Sequence, residues 1–497
     1  VSAIKIYSKN RSILGKVLRK GKKILASSIC NILLLLLFVT ARTEAQDGSD
    51  WSPAFRLSSE NVRPSEGYMV ADRFGYLHVF WIEEDLADGD TVIQYSRFDG
   101  ENWTPPNDIY VLRLGGWTII FLSPFVDQQG SLHLIWSEGN TGPVYYSSAP
   151  AQDALSAQHW SRPLRIDIPA YQARLQIDSK GVIHILYADF YGIQPGIYHT
   201  SSKDQGWTWT SPTWIDADIP AGHAPGHLQF MLDETGNLHA VWSYLDLQEA
   251  SQKYVRYAHS LDGGRNWSLP ITIDEADESS GEVRLARPGL VVSAETVHVI
   301  WAGTERTNRE HRISADAGQT WGEPFRIFGD FHGQAAGDGL SFDAAGRLLF
   351  ASQIRYPQAI WFAYWDDNRW SPLSVVTTDF PSAHYVRLAV RAGNQAVITF
   401  TPDSERSALY AITHTLEDVI TLPSAPTSIT AATASPVPNP TSTLSALNPT
   451  QSVQKLDLGE ATPPVNLMEP SNAIWLALSP VLLLVGGIIA YHLVKRH

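Results

Sequence analysis

One short string recurs three times and constrains the fold more than any other feature. It reads Ser-x-Asp-x-Gly-x-(Thr/Asn)-Trp, at residues 202–209, 260–267 and 314–321. The order has a physical reading. Asp204, Asp262 and Asp316 can each fold a carboxylate back onto backbone N–H groups in a turn. Gly206, Gly264 and Gly318 supply a positive φ two residues later. Trp209, Trp267 and Trp321 open the next strand and bury a large ring. Each copy is therefore a rigid corner between two strands rather than a catalytic centre.

A second motif alternates with the first: Asp-x-x-Gly-x-Leu-His, two apolar residues, then Trp. Asp72 to Trp81, Asp127 to Trp136 and Asp233 to Trp242 fit it throughout. Residues 178–187, 293–301 and 343–350 are worn copies. Each is a tight Asp/Gly turn followed by a strand rich in β-branched and aromatic residues. Worn copies of the first motif end at Trp103 and Trp370. The closing tryptophans are Trp51, Trp103, Trp160, Trp209, Trp267, Trp321 and Trp370, and from Trp103 onward they are spaced by 57, 49, 58, 54 and 49 residues. That period suits a four-stranded propeller blade. Six units run complete from about residue 66 to 370. A seventh starts at Tyr385 and lacks a closing tryptophan, while Trp51-Ser52-Pro53 is a closing strand without a blade. The expectation is an all-β, seven-bladed propeller shut by its own two ends, with six blades as the alternative.

The first motif resembles the Asp box of sialidases and related β-propellers. That resemblance implies a propeller in which the Asp boxes lie on one face and the binding site lies on the other, near the axis. It also implies an arginine cluster for a substrate carboxylate, a Tyr–Glu nucleophile pair and an Asp acid. The family's Phe/Tyr-Arg-Ile-Pro signature is absent, its nearest string being Phe55-Arg56-Leu57-Ser58. Sialidases usually have six blades, so seven is a departure.

Composition enters through charge and the two ends. Residues 46–472 carry 26 basic and 50 acidic residues, a net of −24, which argues against nucleic-acid binding. The one cysteine is Cys30, so the folded region has no disulfide. Residues 1–45 read as a basic leader with a secretory signal, or as an uncleaved N-terminal anchor. Residues 421–472 are a Pro/Ser/Thr-rich stalk. Residues 473–494 are continuous and apolar, of membrane-spanning length, and 495–497 form a basic tail. The expected placement is a single-pass cell-membrane protein with the propeller, 46–420, outside the cytoplasm.

Chemistry must come from residues that break the repeat. His78, His133, His184, His239 and His298 recur at one phase of one strand, which spreads them around a ring; they read as scaffold, with no metal. The acidic loops, Glu83-Glu84-Asp85 among them, match no calcium-loop spacing and read as a solvated face, so no cofactor is assigned. The predicted innermost strands of three blades begin with Arg174, Arg287 and Arg387, so these side chains can point at one anion. Through the resemblance, Tyr385 with Glu282 is the candidate nucleophile pair. The competing reading pairs these arginines with acids such as Glu282 and Asp338. Two functions follow: recognition of a glycan or an extracellular protein by the loop face without turnover, or an exo-α-sialidase-type glycoside hydrolase.

Overall fold

The computed structural model describes residues 50–422, apart from 86–89, 113–118, 140–141, 191–193, 218, 248–250, 276–286, 304–307, 329–331, 334–337, 357, 381–382, 403–407, 418 and 420–421. The leader, most of the stalk, the apolar run 473–494 and Glu282 lie outside the described residues. Among the described residues no helix is long and apolar enough to cross a membrane.

The strands form seven antiparallel sheets, one per blade. In the third blade the order from the axis outward is Gln172–Ile177, Ile183–Asp189, Gly196–Ser202 and Thr213–Asp216. Every residue of Ile183–Asp189 is buried. A second strand lies between two neighbouring blades and must be apolar on both sides, so its sequence runs on without alternation. The fully buried Trp81, Trp136, Trp242 and Trp301 occupy the same place in other blades.

The closing tryptophans divide evenly among the cores. Trp51, Trp103, Trp160, Trp209, Trp267, Trp321 and Trp370 each pack into a different one of seven hydrophobic clusters. Each ring wedges a seam between blades, which explains the sequence period. The Asp boxes form as read. In residues 314–321, Thr320 N–H donates to Asp316 Oδ1 at 2.8 Å and Gly318 N–H donates to Ser314 Oγ at 2.9 Å. The Asp204 and Asp262 boxes repeat the pattern. Gly318 has φ +83°, and a Cβ there would run into the Tyr257 ring of the preceding blade. The corner thus joins blades as well as strands.

The histidines are structural. His78 Nε2 donates to Asp72 Oδ2 at 3.1 Å, and its Nδ1 accepts from the Tyr95 hydroxyl at 2.7 Å. The carboxylate only accepts, so it fixes the tautomer. The same Asp–His–Tyr chain recurs at His133 and His239. His184 and His298 instead meet a second histidine, His199 at 3.1 Å and His311 at 3.0 Å. Burial pushes His199 down to about 3 and His298 down to about 4, so both pairs stay neutral at ordinary pH.

The ring closes through its ends. Phe55–Arg56 pairs with Tyr410–Ala411 as the fourth strand of the last blade. Ser52 N–H donates to Thr413 O at 2.8 Å, and Leu57 N–H donates to Leu409 O at 2.8 Å. The closing strand therefore starts slightly later than Trp51-Ser52-Pro53. The count is seven, not the alternative six. One loop assignment is corrected: Glu83, Glu84 and Asp85 end the strand Leu77–Asp85 and pair with Val62–Pro64. Glu83 accepts from Trp81 Nε1 at 2.8 Å, and Glu84 pairs with Arg63, so neither is a free loop acid.

Candidate functional site: an axial cavity rimmed by arginine

The first strands of all seven blades converge on a cavity of about 510 Å³ at the ring axis. The antiparallel order places the starts of these strands on the side of the ring opposite the Asp boxes, which join third strands to fourth. Arg174, Arg287, Arg387 and Tyr385 all line it. These are the arginines and the tyrosine singled out from sequence, and the fold brings them to one place.

Local irregularities aim the side chains. In the seventh blade the register shifts between His384 and Arg387, and Tyr385 adopts φ +53°. In the fourth it shifts between Gly226 and Gln229, and His227 adopts φ +52°. Such bulges turn a side chain out of its regular alternation. Positive φ in a residue other than glycine or asparagine is a strained state held by its surroundings. Here Leu228 N–H donates to Gln172 Oε1 at 3.2 Å, which ties the His227 bulge to the next blade. The first and sixth blades break their inner strands instead. Val62–Pro64 and Tyr68–Ala71 flank a gap containing Glu66, while His332–Gly333 and Gly339–Phe342 flank a gap containing Asp338. Gly339 lies so close to the backbone of Leu388 that a Cβ would collide with it. This approach packs Asp338 and Arg387 onto adjoining parts of the cavity wall.

Two carboxylates line the cavity among the described residues, and each is committed. Glu66 pairs with Arg387 and accepts the Tyr68 hydroxyl at 2.5 Å. Burial works against the Glu66 carboxylate. Arg387, the Tyr68 hydrogen bond and Arg174 outweigh it and hold Glu66 below the usual carboxylate range. Burial and the Glu66 charge push the Tyr68 hydroxyl far up, so it stays protonated. Asp338 receives Arg309 in a fork, Nε to Oδ2 at 2.6 Å and Nη2 to Oδ1 at 3.0 Å. The competing sequence reading is thus half met: acids do sit among the arginines, but Asp338 is held by Arg309, and Arg387 is held by Glu66.

Glu66, Tyr68 and Arg309 were not singled out from the sequence, and Asp338 entered only as a competing partner for the arginines. Glu66-Gly67 does interrupt a strand pattern, and that break is the one signal that marks it. Glu282, the expected partner of Tyr385, lies outside the described residues. Among the described residues, Tyr68 with Glu66 is a hydrogen-bonded Tyr–Glu pair in the cavity. Arg56, in the string nearest the sialidase signature, instead donates to the carbonyls of Ser58 and Ser59 and is not among the cavity-lining residues. Among the described residues no group of three or more His, Cys, Asp or Glu side chains is placed to hold a metal.

No protein-family model matches the chain, and no curated protein is similar to it. Solved structures with the same architecture exist. A protein of unknown function from Dyadobacter fermentans is 14% identical, with a TM-score of 0.46, over 74% of this chain and 100% of its own. An ulvan lyase, a polysaccharide lyase bound to -[GlcA(1-4)Rha3S]-, is 12% identical, with a TM-score of 0.48, over 74% and 100%. The α-L-arabinanase of Penicillium chrysogenum complexed with arabinobiose is 14% identical, with a TM-score of 0.40, over 61% and 95%.

Proposed function

We propose that the propeller recognises a carboxylate-bearing glycan in its axial cavity. One observation carries the reading. Three guanidiniums, of Arg174, Arg287 and Arg387, line the cavity with two carboxylates, of Glu66 and Asp338, and the buried Arg309 pairs with Asp338. Among the described residues the lining thus carries more cations than anions, inside a domain of net −24. An arginine fork matches a planar carboxylate better than any other side chain. The volume falls in the range of small-ligand sites, about 300–1,000 Å³. Residues 473–494 would hold the domain at the cell membrane, with the cavity outside the cytoplasm.

A second reading rests on the Tyr68–Glu66 hydrogen bond. In an exo-α-sialidase-type hydrolase the tyrosine oxygen attacks the anomeric carbon as its phenol proton passes to the glutamate, and the glycosidic bond breaks with the aglycone leaving as an oxyanion that takes its proton from solvent water. Glu66 is ionised and can accept that proton, and the neighbouring arginines would stabilise the charge on the sugar carboxylate. Water then cleaves the tyrosyl-sugar bond.

Calorimetric titration of the 46–420 domain with N-acetylneuraminic acid and with glucuronic acid tests the first reading. Arg174→Met and Arg287→Met should each weaken binding by roughly 10- to 100-fold, the worth of a charge-assisted hydrogen bond. Absence of binding, or binding by both variants as tight as the wild type's, overturns it. Hydrolysis of a fluorogenic sialoside that stops in Tyr68→Phe, with binding retained, supports the second reading. No turnover by the wild type ends it.

A further inference from the structure

His227 belongs to the cavity yet has no structural employment of the kind seen in the repeated histidines. Those are locked to an Asp, a Tyr or a second His. His227 lines the cavity from a bulge at positive φ, and its ring has no hydrogen-bond partner among the described residues. The charged groups acting on it come from four other blades: Arg287, Arg174, Glu66 and Arg387. Burial, then Arg287 and Arg174, push its pKa down to about 3, with Glu66 partly opposing. In the empty cavity it is therefore a neutral imidazole among cations.

We propose that His227 is a further ligand-binding group of the axial cavity and that it engages a carboxylate ligand as the imidazolium, taking up a proton as the ligand enters. This rests on the carboxylate-glycan reading above. The physics is reciprocal. A carboxylate seated on Arg174 and Arg287 cancels the field that holds His227 neutral, and its negative charge favours the protonated ring. Protonation and ligand binding then strengthen each other by the same factor. The ring becomes a donor at both nitrogens, where the neutral form offers one donor and one acceptor. Affinity rises as pH falls through the window between the pKa of the loaded site and that of the empty one. Within that window the rise is up to about tenfold per pH unit.

The test titrates the full chain, in detergent solution, with N-acetylneuraminic acid and with glucuronic acid near pH 5. Parallel runs use buffers of different ionisation enthalpy, so that the slope gives protons taken up per ligand bound. The wild type should take up a substantial fraction of one proton. His227→Asn, chosen because asparagine tolerates positive φ, should still bind, several-fold more weakly, and take up none. Binding by the wild type without proton uptake overturns the inference and leaves the carboxylate-glycan reading standing. Uptake that persists unchanged in His227→Asn assigns the proton elsewhere and also overturns it. Failure of the wild type to bind overturns the parent reading, and this inference falls with it. The wild-type titration decides the matter even if the variant does not fold.

Discussion

Removing ten residues from one end should undo a domain of more than three hundred. The perturbation is a chain starting at residue 60 instead of 50. It deletes the fourth strand of the last blade. The lost bonds include Ser52 N–H to Thr413 O, Leu57 N–H to Leu409 O, Thr413 N–H to Ser52 Oγ and Leu409 N–H to Ser58 Oγ, all between 2.8 and 3.0 Å. Each contributes about 1 kcal/mol net. Trp51 leaves the core of the sixth and seventh blades, and Leu57, only 3% exposed, leaves that of the first and seventh. Those losses cost about 3 and about 2 kcal/mol. The total, about 9 kcal/mol, falls within the 5–15 kcal/mol by which a whole domain is stable. The deletion also bares the edge of the strand Tyr410–Thr415, which invites association with other chains. Chains 50–422 and 60–422 are compared by urea denaturation and by size-exclusion chromatography. The shorter chain should show no cooperative transition and should elute as aggregate, while Trp51→Ala in the longer chain should lose about 3 kcal/mol. A soluble 60–422 chain with an unchanged midpoint refutes ring closure by the N-terminal strand.

Other outcomes follow from the same geometry. Arg309→Met strands the buried Asp338 carboxylate and should cost roughly 3–5 kcal/mol in urea unfolding; a change under 1 kcal/mol would show that the fork is not formed. Gly318→Ala should destabilise well beyond Gly346→Ala. Both glycines have positive φ, but only the first would drive a Cβ into a neighbouring ring, that of Tyr257, so equal unfolding midpoints contradict the Asp-box packing. The pairs His184–His199 and His298–His311 are held neutral, with folded pKa values below the unfolded value near 6.5. The unfolded chain therefore binds more protons in acid, and stability should fall as pH drops from about 6.5 towards about 4. A melting temperature flat across that window contradicts the buried-pair assignment.

The ring was legible in the sequence because its strongest local signals are also its seams. A Trp closing each unit marks a wedge between blades, and an Asp or a Gly beside it marks a corner with a fixed conformation. Blade number followed from arithmetic on those tryptophans. The arginines were legible for a weaker reason: Arg174, Arg287 and Arg387 begin first strands, and first strands meet at the axis. Glu66 escaped, and the places of His227 and Asp338 in the cavity with it, because strand breaks and bulges aim them. Whether a strand bulges depends on ties such as Gln172 to Leu228 and on approaches such as Gly339 to Leu388, both between different blades. No window of sequence contains both partners of such a contact. The Tyr–Glu pair that the resemblance implies, Tyr385 with Glu282, reaches outside the described residues, while among the described ones Tyr68 donates to Glu66, two positions before it at the start of the first blade.

The most direct measurement is a crystal structure of the 46–420 domain with N-acetylneuraminic acid. The account predicts the sugar at the ring axis, its carboxylate within hydrogen-bond distance of the guanidiniums of Arg174 and Arg287, and Tyr68 still bonded to Glu66 beside it. Ligand on the Asp-box face, or a carboxylate that touches none of the cavity arginines, would contradict it.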